Sequence, residues 1–188
     1  MRKLIQFVGI PGVGKSYLFR KIGLKGLNYV EFGTEFAKWI AKRDGDGQVI
    51  VPDAPKKYVY EFMDTIINNR QPAIFTSHIV HFDGQKFRFD SEMEMYIACG
   101  GYIYVYSSPE EILQRRKRDN ESGIKIRGED MLETITKHQE LSLQLAREYS
   151  NKLGSKFLYV NNTSTKEEES LKNIRDFIQE VIFNGSPV

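Results

Sequence analysis

Eight residues near the start of the chain, Gly9-Ile10-Pro11-Gly12-Val13-Gly14-Lys15-Ser16, fit the pattern G-x-x-x-x-G-K-[ST] at every fixed position. Glycines at this spacing let the backbone curl so that successive N–H groups point at phosphate oxygens, at the positive end of a following helix. Lys15 would reach the β- and γ-phosphates, and the Ser16 hydroxyl would ligate Mg²⁺. A glycine-rich turn that binds nothing is the alternative, and the flanks speak against it. Leu4-Ile5-Gln6-Phe7-Val8 reads as a buried strand before the loop, and Leu18, Phe19 and Ile22 recur on a helical period after it. The loop, with Tyr17 beside it, is therefore expected to hold a nucleoside triphosphate with Mg²⁺.

A second group lies far along the chain. Arg115-Arg116-Lys117-Arg118 ends a helix and runs into Asn120-Glu121-Ser122-Gly123-Ile124-Lys125-Ile126-Arg127-Gly128. A basic segment over a triphosphate neutralises the transferring group and shuts out water, which phosphoryl transfer requires. Arg115 and Arg118 are three apart and share a helix face, so both are expected to clamp phosphate charge. The other reading is a solvated basic helix end that suits the negative end of the helix dipole.

The elements that must position these groups are legible as alternating patterns. Strand-like runs occur at Leu4–Val8, Leu27–Phe32, Ala73–Thr76, Tyr102–Tyr106 and Phe157–Val160, without strict period-2 alternation. Ser108-Pro109-Glu110-Glu111 is a capping box with proline at the first helical position. Helical patterns follow over Asp130 to Tyr149 and Lys166 to Phe183. Strands alternating with helices imply an α/β fold, a parallel sheet covered on both faces. Asp44-Gly45-Asp46-Gly47 reads as a loop before a helix starting near Asp53. Ile79 to Phe89 reads as a β-hairpin turning on Asp83-Gly84. Residues 184–188 read as a frayed tail.

Size and composition set the limits. The 188 residues suit one domain with a full core. The net charge of +2 gives no field favouring nucleic acid or membrane, and 40% hydrophobic with 28% charged residues describes an ordinary globule. Cys99 is the single cysteine, with no ligand-spaced neighbour, and reads as a buried thiol in a reducing compartment. No stretch is long enough to span a bilayer, so a cytoplasmic location is expected. His81 and His138 read as structural or exposed.

Taken together these segments resemble the archaeal-type adenylate kinases, small nucleoside monophosphate kinases of the phosphate-loop class. The resemblance is carried by the glycine loop, by Phe32-Gly33-Thr34-Glu35-Phe36, by Thr76-Ser77-His78, by Arg115-x-x-Arg118-Asp119, by Leu132-Glu133-Thr134-Ile135 and by Asn161. It implies a doubly wound five-stranded sheet and transfer of the γ-phosphoryl of ATP to AMP. In it Gly33, Thr34, Glu35 and His78 would border the acceptor within a monophosphate-binding region at residues 33–70. Residues 119–129 would be a lid, and Asn161 would lead into a loop near the adenine. Partners would be small-molecule nucleotides. Two positions depart from the family. Thr76 stands where an aspartate organises the Mg²⁺ shell, leaving Asp83 to supply a carboxylate if the hairpin folds inward. Gln48 stands where an arginine binds the acceptor phosphate, leaving Arg43 or Lys56-Lys57 to substitute. A kinase for another small acceptor, or a slow ATP-hydrolysing switch, are the rival readings.

Overall fold

The computed structural model describes residues 3–44, 54–69, 71–89, 99–123 and 131–183. Its strands are β1 (Leu4–Val8), β2 (Asn28–Glu31), β3 (Ala73–Ser77), β4 (His81–Phe82), β5 (Phe87–Arg88), β6 (Gly101–Tyr106) and β7 (Lys156–Asn161). The helices are α1 (Lys15–Lys21), α2 (Phe32–Asp44), α3 (Lys56–Ile67), α4 (Pro109–Glu121), α5 (Leu132–Lys152) and α6 (Glu167–Ile178). The last continues into a π-helical turn, Gln179–Phe183.

Five strands form one parallel sheet in the order β2-β3-β1-β6-β7. This is the parallel sheet the alternating pattern implies, in the doubly wound five-stranded form the family resemblance implies. β1 lies at its centre and all five of its residues are buried. On one face Leu4 and Val8 pack with Phe36 and Ile40 of α2 and Phe62 and Met63 of α3. On the other, Ile5 and Phe7 pack with Leu18 and Phe19 of α1, Ile112 of α4 and Ile174 and Ile178 of α6. Burial of each such side chain contributes about 1.5–3 kcal/mol, so β1 is fixed from both sides. Gln6 is its polar exception, and it is satisfied. Its Nε2 donates to Ser77 Oγ at 2.6 Å, and its Oε1 accepts from the buried Cys99 thiol at 3.6 Å.

Helix ends are held by specific side chains. Ser108 Oγ accepts from Glu111 N at 3.2 Å, with Pro109 at the first helical position, as the capping pattern requires. At the far end of α1, Arg175 Nε and Nη2 donate to the carbonyls of Ile22 and Lys21, both at 3.0 Å, and so tie α1 to α6. β4 and β5 pair antiparallel as the Asp-Gly turn suggested. His138 is buried and bonds the Val80 carbonyl through Nε2 at 3.0 Å, fastening the start of this hairpin to α5.

Some boundaries differ from the sequence reading. Phe32 opens α2 instead of ending β2, because its ring meets Phe36 one helical turn on and Phe62 of α3, at 5.3 and 5.4 Å. β3 extends to Ser77, which pairs with Val8. α5 runs on to Lys152. Asp44 ends α2, whereas Gly45, Gly47, Gln48, Asp53, residues 124–129 of the expected lid and the 184–188 tail lie outside the described residues. Among the described residues no helix is long and apolar enough to cross a membrane.

Candidate active site

A parallel sheet brings every strand's following segment to one edge. Gly9 follows β1, Phe32 follows β2, His78 follows β3, Ser107 follows β6 and Asn162 follows β7. In open α/β sheets ligands bind along this carboxyl edge, where strands lead away to both sides.

The glycine loop is shaped by its own Lys15 and by donors from distant parts of the chain, and its carbonyls account for them one by one. Lys15 Nζ donates to Gly9 O and, at 3.1 Å, to Ile10 O. Arg116 Nε and Nη2 both donate to Pro11 O, at 3.0 and 2.7 Å. Arg115 Nη1 reaches Gly12 O at 3.5 Å and Val13 O at 3.1 Å, and Asn162 Nδ2 donates to Val13 O at 2.8 Å. Leu18 N closes on Gly14 O at 3.0 Å as α1 begins. In a planar trans peptide the C=O and the following N–H point in opposite directions. Carbonyls drawn toward α4 and Asn162 therefore turn the amides of Gly12 and Gly14 the other way. That is the arrangement that presents N–H groups to an anion.

Two glycines permit it. Gly9 has φ of 150°, and a Cβ there would sit 2.6 Å from Val105 O. Gly14 has φ of 91°, and a Cβ there would sit 2.3 Å from Asn162 Nδ2. Any other residue at either position would drive the loop off β6 or off Asn162.

Lys15 is buried, and its ammonium lies 3.2 Å from His78 Nδ1. The same nitrogen is 2.8 Å from Gly9 O. Burial, and next the positive charge of Lys15, hold His78 well below the ordinary histidine value of 6.5. The ring is therefore neutral, with Nδ1–H placed to donate to Gly9 O. Ser16, half-buried, stands in the first turn of α1 with a hydroxyl oxygen of the hard type Mg²⁺ prefers. Mg²⁺ commonly takes one or two protein oxygens and leaves the rest to phosphate and water, so Ser16 fits such an ion.

The two arginines expected to act alike do not. Arg115 is half-buried, bonded to loop carbonyls, to Asn162 O at 3.0 Å and to Glu111 at 3.0 Å. Arg118 is exposed, and with Arg115 and Asp119 it lines an open cavity of about 560 Å³. Arg116, between them, is buried against the loop. Helical spacing could not single it out, because a basic run offers every face a cation.

Other expected positions are distributed along the edge. Gly33 and Thr34 are exposed at the start of α2, two strands away from the loop, and Glu35 pairs with Lys38 at 2.8 Å. Tyr17 directs its hydroxyl at both oxygens of Glu167, at 3.0 and 2.9 Å, with the Lys21 ammonium over its ring. Asn161 ends β7, where its Oδ1 is buried without a hydrogen-bond partner among the described residues, while the next residue, Asn162, touches the loop. His81 is exposed, its ring 6.2 Å from that of His78.

Two expected substitutes are engaged otherwise. The Asp83 carboxylate accepts from Gln85 N and Lys86 N, at 3.0 and 2.9 Å, and pairs with Arg88, so it is folded into its own turn and not inward. The Arg43 guanidinium lies over Tyr58 and Trp39, 4.4 and 5.1 Å from the ring centres, and pairs with Glu61, joining α2 to α3. Thr76 is buried at the end of β3, beside Phe7 in register.

The same fold occurs in solved kinases. The shikimate kinase of Acinetobacter baumannii, in complex with shikimate, aligns with a TM-score of 0.52 at 16% identity, over 98% of this chain and 95% of that one. The shikimate kinase of Bacteroides thetaiotaomicron gives 0.55 at 15% identity, over 94% and 98%. A gluconokinase of Sinorhizobium meliloti gives 0.53 at 14% identity, over 97% of both chains. At these identities the likeness establishes the fold. No curated protein sequence matches. Residues 8–136, well over half of the chain and the span from β1 through the phosphate loop to the start of α5, match the AAA domain family, and the chain belongs to that family.

Proposed function

We propose that this chain transfers the γ-phosphoryl group of MgATP to a small acceptor. The observation that carries the reading is the clamped glycine loop: donors from α1, α4 and the β7 loop take up its outward carbonyls, and Lys15 stands at its end. In the reaction an acceptor oxygen attacks the γ-phosphorus: a phosphate oxygen of AMP attacks as the anion, whereas a hydroxyl acceptor gives up its proton to solvent. The bond to the bridging oxygen breaks, and its electron pair stays with ADP. The loop amides and Lys15 would hold the β- and γ-oxygens as charge moves onto them, and Arg118 would face the phosphates across its cavity. Mg²⁺, held by Ser16, would supply charge neutralisation on the phosphate oxygens. Little covalent help is needed, because positioning and electrostatics carry such transfers.

AMP is the acceptor that the adenylate kinase resemblance favours, with Gly33, Thr34, Glu35 and His78 bordering it. Likeness to shikimate kinases and a gluconokinase favours a small acceptor that is not a nucleotide. A coupled assay of ADP release from MgATP decides between them, run without acceptor and then with AMP, CMP, UMP, dTMP, GMP, shikimate and gluconate in turn. Stimulation by AMP alone supports the nucleotide reading, and stimulation by a hydroxy acid alone moves the acceptor to the other class. A slow rate indifferent to all of them would overturn transfer in favour of an ATP-hydrolysing switch.

A further inference from the structure

Glu111 belongs to the capping segment of α4, yet its carboxylate does more than begin a helix. Oε2 accepts from Ser107 Oγ at 2.7 Å and from Arg115 Nη2 at 3.0 Å, while Oε1 accepts from Ser164 N at 3.1 Å. Ser107 Oγ also lies 3.1 Å from Asn162 O, and Arg115 Nη2 bonds that same carbonyl. One carboxylate thus meets the end of β6, the loop after β7, and the arginine that grips Gly12 and Val13. Desolvation opposes its charge, but the bonds from Ser107 and Ser164 and the charge of Arg115 outweigh it and hold its pKa below the ordinary carboxylate value. It is ionised at neutral pH.

We propose that Glu111 is a positioning residue that couples the loop after β7 to the phosphate loop, so that both rims of the nucleotide site hold or loosen as one unit. The coupling is a property of the chain by itself. Its consequence for nucleotide affinity rests on the function proposed above.

Charge is what the arrangement uses. A neutral amide of the same shape still accepts from Ser164 N but no longer neutralises Arg115, and charge-assisted bonds are about twice as strong as neutral ones. The test is amide hydrogen exchange on the ligand-free protein with Glu111→Gln, which is isosteric and spares the helix cap. Exchange is expected to rise at least fivefold in peptides covering residues 9–16 and also in those covering 161–166, with β1 and the middle of α5 unchanged. Ser108→Ala, which removes the cap on the same turn, should move neither segment, as a merely structural role for the turn would not predict. A response in one segment alone, in neither, or across the whole chain overturns the coupling. Titration with a fluorescent MgATP analogue then reads the consequence, with affinity expected to fall at least fivefold in Glu111→Gln. Wild-type protein that fails to bind the analogue would count against the proposed function, while the exchange result would still decide the coupling.

Discussion

Lys15 rests on the carbonyls of its own loop and beside the neutral ring of His78, so its ammonium is already desolvated and aimed at the sheet edge. A phosphate oxygen there would offer a full negative charge in place of carbonyl dipoles, so the ammonium would gain an ion pair as well as a hydrogen bond. Lys15→Ala is therefore expected to abolish transfer while the fold survives, at a stability cost of about 1–2 kcal/mol for the bonds it leaves unmade. Wild-type rates in that variant would remove the proposed site. Arg118 makes a different case because it is exposed beside a cavity and not bonded into the loop. Arg118→Ala should lower kcat far more than it raises KM for ATP, and an unchanged kcat would remove its role at the phosphates. At this scale the sequence showed the residues whose chemistry is local, since Gly9 to Ser16 is one continuous segment. It did not show Arg116 or Asn162, whose bonds to the loop span 105 and 149 residues. Nothing in a basic run or an Asn-Asn pair says which member faces a distant loop.

Elements came through better than contacts, because burial on both faces writes itself into composition. Each sheet strand falls within a residue or two of its apolar run, and the Ser108 cap and the Asp-Gly hairpin appear where their turn chemistry puts them, although the Glu111 side chain turns away from the cap. The π-helical end of α6 left no trace, since its Val181 and Ile182 fit an α-helical stripe equally well. What the sheet cannot specify alone is how tightly its carboxyl-edge loops meet, and Gly14 measures that. An alanine there would hold a left-handed φ costing about 1–2 kcal/mol and would displace Asn162 from Val13 O at about 1 kcal/mol more. Gly14→Ala is expected to lose about 2–3 kcal/mol in urea unfolding and to weaken nucleotide binding as the loop shifts. The double variant with Asn162→Ala should cost less than the sum of the two single changes, because the clash is removed once. Strict additivity would show that the two side chains do not meet.

At the scale of the whole molecule, the hairpin and α5 are joined to the sheet edge through the buried His138 and the half-buried His78, which makes stability a function of pH. Burial holds His138 at about 4, against the bond from its ring to the Val80 carbonyl and with the charge of Arg116 also lowering it. The folded value thus lies below the unfolded value of about 6.5. Between about pH 6.5 and 4 the unfolded chain takes up a proton that the folded chain refuses, so stability is full above 6.5 and falls as the pH drops toward 4. Each unit of difference corresponds to about 1.4 kcal/mol, so His138 contributes on the order of 1–3 kcal/mol to the acid loss. His78 shifts in the same direction, and paired carboxylates add their own losses at lower pH, so the wild-type profile alone does not isolate one group. Glutamine at position 138 keeps an N–H that can reach the Val80 carbonyl and does not titrate. His138→Gln is expected to flatten the profile over this window, its deficit against wild type at pH 7 shrinking or reversing by pH 4.5. Urea unfolding at half-unit steps between pH 4 and 7.5 measures it. Parallel profiles for the two proteins would mean that His138 is protonated equally in both states, and that the hairpin is not fastened to α5 through a neutral ring.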